Sequence, residues 1–137
     1  MSDPQSETIQ HILTQFHTVA VVGFSDRDRR AAAFYAPAYL KGKGYTIIPV
    51  NPRLTTGLNR PAYPTLADVP GPIDVALIYQ ASERVGPFVD QAIAAGAKAV
   101  WLPIGVVDEA AAERARADGL LVVMDRCMMV EHKHLDM

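Results

Sequence analysis

The sequence is poor in features that would point to a secreted, membrane-bound or nucleic-acid-binding protein. It contains one cysteine, Cys127, so no internal disulfide can form, and a single thiol is typical of a reducing compartment. No apolar run approaches the ~18 residues of a membrane span, and residues 1–10 lack the basic and apolar regions of a signal peptide. The net charge of −2 gives no positive field that would attract nucleic acid. These absences predict a cytoplasmic protein without a membrane or nucleic-acid partner.

Buried strands form the strongest pattern that is present. Of the 137 residues, 50% are hydrophobic and 20% are charged, as in globular proteins, and we expect a single domain over residues 1–137. Five apolar segments rich in β-branched residues show no polar alternation, which is typical of strands buried on both faces of a parallel sheet. The predicted strands are 19–22, 45–50, 73–79, 98–102 and 120–124.

The segments between these strands predict four helices. The first is capped by Asp3 and begins at Pro4. The second begins near Ala36, because Pro37 fits only in a first turn, and ends at Gly44. The remaining predictions are a helix opened by Ser82 and ending at Gly96, a helix opened by Asp108 or Glu109 and closed by Gly119, a loop over 54–64, a capped helical turn over 65–69 and a polar tail over 125–137.

Strands that alternate with helices predict an α/β fold. We expect one Rossmann-like domain with a five-stranded parallel sheet, right-handed crossovers and helices on both faces. The expected strand order is 3-2-1-4-5, and the flavodoxin-like order 2-1-3-4-5 is the alternative. In either order the ligand lies at the carboxyl ends of the strands.

The loop after the first strand is the leading candidate for phosphate binding. Gly23 allows a sharp turn, Ser25 offers a hydroxyl, and Arg27, Arg29 and Arg30 offer forked donors that match phosphate oxygens. The dinucleotide fingerprint has three glycines, and only the first is present here. The alternative is therefore a structural turn that carries a solvated charge cluster.

The residues after the second strand discriminate between nucleotides. NAD sites usually have a carboxylate at this point, which accepts a hydrogen bond from the ribose. Here the residues are Asn51, Pro52 and Arg53, so an acid is absent and a cation is present. This favours a phosphorylated nucleotide, such as NADP or coenzyme A, over NAD.

The order of these motifs resembles a known family. The segments VAVVGFS, YTIIPVNP, DVALIY, AIAAGAKAVWLPIGV and GLLVVMDRC follow one another as in the stand-alone CoA-binding proteins, which are related to the CoA-binding domain of the succinyl-CoA synthetase alpha subunit. The resemblance covers roughly residues 12–130. Family members often have Pro or Ser where Asp26 and Asp28 stand, so this chain carries extra negative charge in the loop.

The resemblance implies a site for coenzyme A or an acyl-CoA. It implies that the loop after the first strand holds phosphates, that the ends of the second and third strands line the nucleotide site, and that the end of the fourth strand and the single thiol border the pantetheine arm. The residues concerned are, in that order, Gly23, Phe24, Ser25, Arg27 and Arg30; Asn51, Pro52, Arg53, Tyr79 and Gln80; and Trp101, Pro103, Gly105 and Cys127. An aromatic at a strand end, such as Trp101, can equally belong to the core.

Residues for catalysis are scarce. None of the four histidines falls at a predicted strand end, and Cys127 has no evident base or set of metal ligands beside it. We therefore expect a CoA-binding protein that is not itself an enzyme and holds no metal. The alternatives are a small NADP-linked oxidoreductase and a regulatory or partner subunit of an acyl-CoA synthetase-like complex. A protein partner or a homo-oligomer is compatible with each of these functions.

Overall fold

The computed structural model describes residues 4–135. Five helices, seven strands and one short 3-10 helix make up this part of the chain. In chain order they are α1 (Ser6–Gln15), β1 (Thr18–Val22), α2 (Ala32–Gly42), β2 (Thr46–Val50), β3 (Thr56–Gly57), β4 (Arg60–Pro61), the 3-10 helix (Leu66–Asp68), β5 (Val75–Ile78), α3 (Ser82–Ala94), β6 (Ala99–Trp101), α4 (Glu109–Ala117), β7 (Leu121–Val123) and α5 (Met128–Leu135).

The main sheet is parallel and five-stranded, which confirms the predicted fold class. Its order is β2-β1-β5-β6-β7. Counting these five strands along the chain, the order is 2-1-3-4-5, so the alternative is correct and the expected order 3-2-1-4-5 is wrong. The reason lies in the burial of the strands. All four residues of β5 are buried, which suits the centre of the sheet, whereas β2 contains Pro49, whose missing N–H is best tolerated at an edge.

The helices cover both faces of the sheet, as predicted. On one face, α3 and α4 pack on alternate strand residues such as Val22, Ala76 and Val100. On the other face, α1, α2 and α5 pack on the intervening residues, such as Val21 and Leu77. Because successive side chains of a strand point to opposite faces of the sheet, alternate residues of each strand pack against opposite helical layers.

The carboxylate of Asp74 connects the amino ends of the central strands. The Oδ2 atom of Asp74 accepts hydrogen bonds from the N–H groups of His17 and Thr18, at 3.1 and 3.2 Å. Its Oδ1 atom lies 3.3 Å from the Nζ atom of Lys98. Because these partners lie at the starts of β1 and β6 and Asp74 directly precedes β5, Asp74 connects the amino ends of three strands, away from the strand carboxyl ends.

Two helices begin differently from the prediction. Helix α1 begins at Ser6 after a turn that contains Pro4, and the predicted cap Asp3 lies outside the described residues. Helix α2 begins at Ala32 and contains Pro37 in its interior. The ring of Pro37 is buried, and this burial offsets part of the cost of the helical hydrogen bond that its missing N–H removes.

The side chain of Gln5 links the start of the chain to its last strand. The Nε2 group of Gln5 donates to the carbonyl of Met124 at 2.9 Å, and its Oε1 atom accepts from the N–H of Met124 at 2.8 Å. One side-chain amide thus pairs with both backbone groups of a residue that directly follows β7. Helix α1 is thereby held against β7 and α5.

The ends of the chain and the long loop contain structure that the sequence analysis missed. The predicted polar tail contains α5, and the predicted loop contains the antiparallel pair β3 and β4. The helical turn predicted before β5 is confirmed, and Thr65 and Asp68 form its capping box. Within residues 4–135, none of the helices has the combination of length and apolar character that crossing a membrane requires.

Candidate functional site

Two cavities open at the carboxyl ends of the central strands. The first, which we call the Arg53 cavity, has a volume of about 470 Å³. The second, the Cys127 cavity, has a volume of about 510 Å³. The Arg53 cavity is lined by Val22, Gly23, Val50, Asn51, Pro52, Arg53, Pro64, Thr65, Tyr79, Gln80, Phe88 and Gln91, and the Cys127 cavity by Ala32, Tyr35, Tyr79, Gln80, Ala81, Pro103, Ile104, Val106 and Cys127. Tyr79 and Gln80, which follow β5, line both cavities, so the two cavities are adjacent.

Gly23 lies where the strand order reverses direction. From β1 the chain crosses to β2 on one side, and the following main strand, β5, pairs with β1 on the other side. Ligands of open α/β sheets bind at such a switch point. Gly23 has φ +84°, and a Cβ built there would lie 2.5 Å from the carbonyl oxygen of Tyr79. The glycine is therefore required by the close approach of two strand ends, independently of any ligand.

Asn51 positions the loops that border the Arg53 cavity. Its Nδ2 group donates to the carbonyl of Phe24 at 2.8 Å, which connects the loops after β1 and β2. Its Oδ1 atom accepts from the N–H of Arg53 at 2.9 Å. Arg53 is the only charged residue among the described residues that line this cavity, and no carboxylate lines it. The cavity thus combines a cation with uncharged polar groups, a composition suited to a phosphorylated ligand.

The Cys127 cavity differs because its lining contains no lysine, arginine, histidine, aspartate or glutamate among the described residues. Burial raises the pKa of the Tyr79 phenol well above its usual range, and the neighbouring Cys127 and Tyr35 raise it further. Tyr79 is therefore a neutral phenol at physiological pH. The cavity offers apolar surface and neutral polar groups.

The loop over residues 103–107 is tied to two neighbouring elements. The Oγ–H of Ser82 donates to the carbonyl of Gly105 at 3.2 Å, and its Oγ atom accepts from the N–H of Val107 at 3.0 Å. The Oδ1 atom of Asp125 accepts from the N–H of Gly105 at 2.7 Å. Ser82, predicted to cap α3, is instead its first residue, and Ala81 holds the cap position. These bonds fix the wall of the Cys127 cavity that contains Pro103 and Ile104.

A comparison with known protein families places this chain in a family. The sequence model of a family described as a CoA binding domain matches residues 17–133. The chain belongs to this CoA-binding domain family. The matched region contains β1, β2, β5, β6 and β7 and every residue that lines the two cavities, and the resemblance to CoA-binding proteins is confirmed.

Proteins similar to this CoA-binding domain occur alone and within longer chains. The uncharacterized protein YneT of Bacillus subtilis (strain 168) is 33% identical over 132 residues, which make up 96% of this chain and 97% of that protein. A hypothetical protein from Pyrococcus horikoshii OT3 is 34% identical, with a TM-score of 0.88 and 100% of each chain covered. A dinucleotide-forming acetyl-coenzyme A synthetase 1 of Ca. Korarchaeum cryptofilum, solved with phosphate and ADP, is 26% identical, with a TM-score of 0.71. The similarity covers 82% of this chain but 26% of the synthetase.

The arginines of the CoA-binding domain's first loop are exposed and lie outside both cavities. The Nε–H of Arg30 donates to Oδ1 of Asp28 at 3.2 Å, although 92% of the Arg30 side chain is exposed. Arg29 stacks on the ring of Phe34 at 5.1 Å and faces a separate cavity beside β3 and β4. Arg27 lines neither the Arg53 cavity nor the Cys127 cavity. A role of Arg27 and Arg30 in phosphate binding stays a prediction.

Ser25 and Gly105 also have backbone partners. The Oγ atom of Ser25 accepts a hydrogen bond from the N–H of Arg27 at 3.3 Å, so the hydroxyl stabilises the loop. Gly105 lies in the bonded loop and does not line the cavity itself. Both residues therefore shape the loops, and direct contact with a ligand stays a prediction.

Two aromatic residues predicted to border the ligand have side chains that belong to the core. Phe24 is fully buried, and a Cβ on Gly57 would lie 2.7 Å from its ring. Trp101 is also fully buried, and its Nε1–H donates to the carbonyl of Arg126 at 2.8 Å. Neither side chain lines one of the two cavities, because each points into the helical layer formed by α1, α2 and α5. Contact of these two residues with a ligand stays a prediction. The backbone of Phe24 still belongs to the loop that Asn51 holds.

The histidine closest in sequence to Cys127 faces other partners. The Nδ1 atom of His132 lies 2.8 Å from the hydroxyl of Tyr39, and the imidazole packs edge-on against Tyr45. Burial, with a contribution from Lys43, lowers the pKa of His132. Residues 4–135 contain no cluster of three or more potential metal ligands among histidine, cysteine, aspartate and glutamate.

Tyr35, Phe88 and Gln91 are among the cavity-lining residues that the sequence analysis did not predict. Tyr35 reaches the Cys127 cavity from the first turns of α2, a segment predicted to precede the helix. Phe88 and Gln91 lie one turn apart on α3 and face the Arg53 cavity, while Phe88 also packs against the core. The i, i+3 spacing places Phe88 and Gln91 on the same face of α3. Because α3 follows Tyr79 and Gln80 closely in the chain, this spacing could have predicted that both side chains face the same cavity.

Proposed function

We propose that the domain binds coenzyme A or an acyl-CoA across the two cavities and carries out no reaction by itself. The observation that supports this most strongly is the junction at Tyr79 and Gln80, where a cavity with a cation meets a cavity without charges. A single ligand that spans both needs a phosphorylated nucleotide at one end and a neutral arm at the other. Coenzyme A has this composition.

In this proposal the Arg53 cavity receives the nucleotide. The loops after β1 and β2 present Gly23, Asn51 and Arg53, at the switch point where open α/β sheets bind nucleotides. The absence of a carboxylate from the described lining disfavours a free ribose 2′-hydroxyl as the recognised group. The guanidinium of Arg53 is the natural partner of the extra phosphate that distinguishes CoA from dephospho-CoA.

The absence of catalysis is part of the proposal. The synthetase that shares the fold is a much longer chain, of which the similar region is 26%. We infer that any acyl transfer involving this domain takes place on a partner protein, with the domain presenting the CoA. A cytoplasmic location, expected from the sequence, is consistent with such a role.

Calorimetry of the full chain with CoA, dephospho-CoA and NADPH tests the ligand. We expect CoA to bind at least about tenfold more tightly than dephospho-CoA, because a charge-assisted hydrogen bond contributes roughly 1.5–3 kcal/mol. Arg53→Gln should remove this difference, whereas Arg116→Gln, which changes an exposed arginine on α4, should preserve it. Failure of CoA to bind would overturn the proposal.

NADP-linked oxidoreduction is the second candidate, and Arg53 is the observation that favours it. The same titrations separate the two functions, because NADPH would then bind more tightly than CoA. Consumption of NADPH with an aldehyde or ketone, followed by loss of nicotinamide absorbance, would establish the oxidoreductase and exclude the non-catalytic CoA function.

A further inference from the structure

Exposed apolar side chains gather at the mouth of the Cys127 cavity. In residues 4–135 the large hydrophobic side chains that are exposed are those of Tyr35, Ile104 and Val107, at 40%, 68% and 42%. Tyr35 and Ile104 line the cavity, whereas Val107, in the same loop as Ile104, does not line it. A concentration of exposed apolar surface at one place indicates a surface that a ligand or partner covers.

The exposure of Ile104 is built into the structure. Ser82 bonds with the carbonyl of Gly105 and with the N–H of Val107, and the Oδ1 atom of Asp125 accepts from the N–H of Gly105. With its neighbours held by three hydrogen bonds, Ile104 keeps a fixed place at the cavity mouth. The loop therefore presents an apolar wall to whatever enters.

The lining of this cavity favours a neutral occupant. The described lining contains no cation that could balance a carboxylate, and a carboxylate removed from water without a partner is strongly disfavoured. The cavity adjoins the Arg53 cavity, because Tyr79 and Gln80 line both. A group covalently attached to the neutral end of the nucleotide ligand would therefore enter it.

We propose that the Cys127 cavity accepts the acyl group of an acyl-CoA and selects apolar acyl groups over free CoA and over acyl groups that end in a carboxylate. This inference rests on the proposed function, because the CoA must lie across Tyr79 and Gln80 for its acyl group to reach Ile104. It assigns to the domain a preference for a class of thioester, which CoA binding alone does not require.

Titration of the full chain with CoA, butyryl-CoA and succinyl-CoA tests the preference. Butyryl-CoA should bind at least about tenfold more tightly than CoA, because each buried methylene contributes roughly a three- to fourfold gain in affinity. Succinyl-CoA should lose this gain, since its terminal carboxylate has no cation in the cavity. Ile104→Ser should lower the ratio of butyryl-CoA to CoA affinity several-fold. Val107→Ser is the matched control, because Val107 is exposed in the same loop but does not line the cavity.

The outcomes separate this inference from the proposed function. Tighter binding of butyryl-CoA that Ile104→Ser reduces and Val107→Ser preserves supports the acyl cavity. Equal affinities for CoA and both thioesters, or an equal effect of the two serine variants, would overturn the acyl cavity while CoA binding stands. Absence of binding by all three compounds would overturn both.

Discussion

The two ends of the parallel sheet use polar side chains in opposite ways. At the amino end, Asp74 bonds with the start of β1 and with Lys98, and its polar atoms are occupied by neighbouring strands. At the carboxyl end, Asn51, Ser82 and Asp125 bond with loops and hold two cavities open between them. The comparison indicates that polar side chains at the amino end stabilise the fold, whereas those at the carboxyl end shape the binding cavities. Changes at the amino end should reduce the free energy of unfolding, and most changes at the carboxyl end should reduce affinity.

Gly23 is the exception to this separation and should give the largest effect. Gly23→Ala should destabilise the protein by roughly 3–5 kcal/mol, because a Cβ would meet the Tyr79 carbonyl and the backbone is left-handed. Gly119→Ala is the matched control, because Gly119 has φ +89° and no atom within 4 Å of a built Cβ. We expect that control to cost only about 1–2 kcal/mol in urea denaturation. Equal losses of stability in the two variants would show that the contact with Tyr79 does not contribute to the effect of Gly23→Ala. Gly23 would then have no special role in stability and would be grouped with the binding residues.

Asp74 should produce the next largest loss of stability without a loss of affinity. Asp74→Ala should lower the free energy of unfolding by roughly 2–3 kcal/mol, because two backbone donors and Lys98 lose their partner. The affinity for CoA should stay within about twofold of the unsubstituted protein, since the change lies at the opposite end of the sheet. A large loss of affinity in a folded variant would contradict the separation of the two ends.

The same carboxylate should make stability depend on pH. Burial raises the pKa of Asp74, but the hydrogen bonds from Thr18 and His17 and the interaction with Lys98 outweigh burial, so its pKa is lowered overall. A lowered pKa contributes stability that is present above the unfolded pKa of about 4 and is lost as pH falls through the folded value. Thermal unfolding between neutral pH and acid should therefore show a smaller acid-induced loss for Asp74→Asn than for the unsubstituted protein. Asp118→Asn, at an exposed position, should not reduce that loss.

Substitution of Asp125 tests whether this side chain holds the loop over residues 103–107 in place at the carboxyl end of the sheet. Asp125→Ala should increase hydrogen exchange at the N–H groups of Gly105 and Val107 by roughly tenfold or more, while exchange in β5 remains slow. Asp125→Asn should preserve protection, because asparagine keeps an acceptor oxygen and tolerates the left-handed φ of +61°. Unchanged exchange in the alanine variant would remove Asp125 from the positioning of Ile104.

The first-loop arginines should give the smallest effect. Arg27→Ala and Arg30→Ala should each weaken CoA binding by about two- to fivefold at low salt, because exposed ion pairs contribute roughly 0.2–1 kcal/mol. The effect should diminish with added salt, and the free energy of unfolding should not change. Arg116→Ala provides the comparison for a general change in charge. A salt-independent loss of a hundredfold or more would mean that the loop closes over the ligand and excludes water.

The alternation of apolar and helical segments was sufficient to predict the sheet and its helices, but it could not decide the strand order. Both candidate orders use right-handed crossovers. The deciding information was the complete burial of β5 together with the presence of Pro49 in β2, which lies at the edge of the sheet. Helix α5 was missed because its exposed face is rich in charged and polar residues. Its inner face is held by the buried Met128 and by the contact of His132 with Tyr39, which join segments distant in sequence.

The rule that ligands bind at the carboxyl ends of strands predicted which loops would meet, including those of Asn51, Tyr79, Pro103 and Cys127. It could not predict the direction of individual side chains. Trp101 ends a strand, and its burial depends on a hydrogen bond with the carbonyl of Arg126, which lies beyond the next strand. Interactions of this kind cannot be predicted from the sequence, because they depend on how neighbouring strands are arranged in the folded sheet.

The Gln5 amide that pairs with Met124 has a consequence for synthesis of the protein. The two residues are 119 positions apart, so a nascent chain presents α1 long before the ribosome has added the residue to which Gln5 bonds. Until then α1 also lacks two of its packing partners, β7 and α5. Helix α1 is thus made before the other described helices, but its full set of contacts can form only after β7 has joined the sheet.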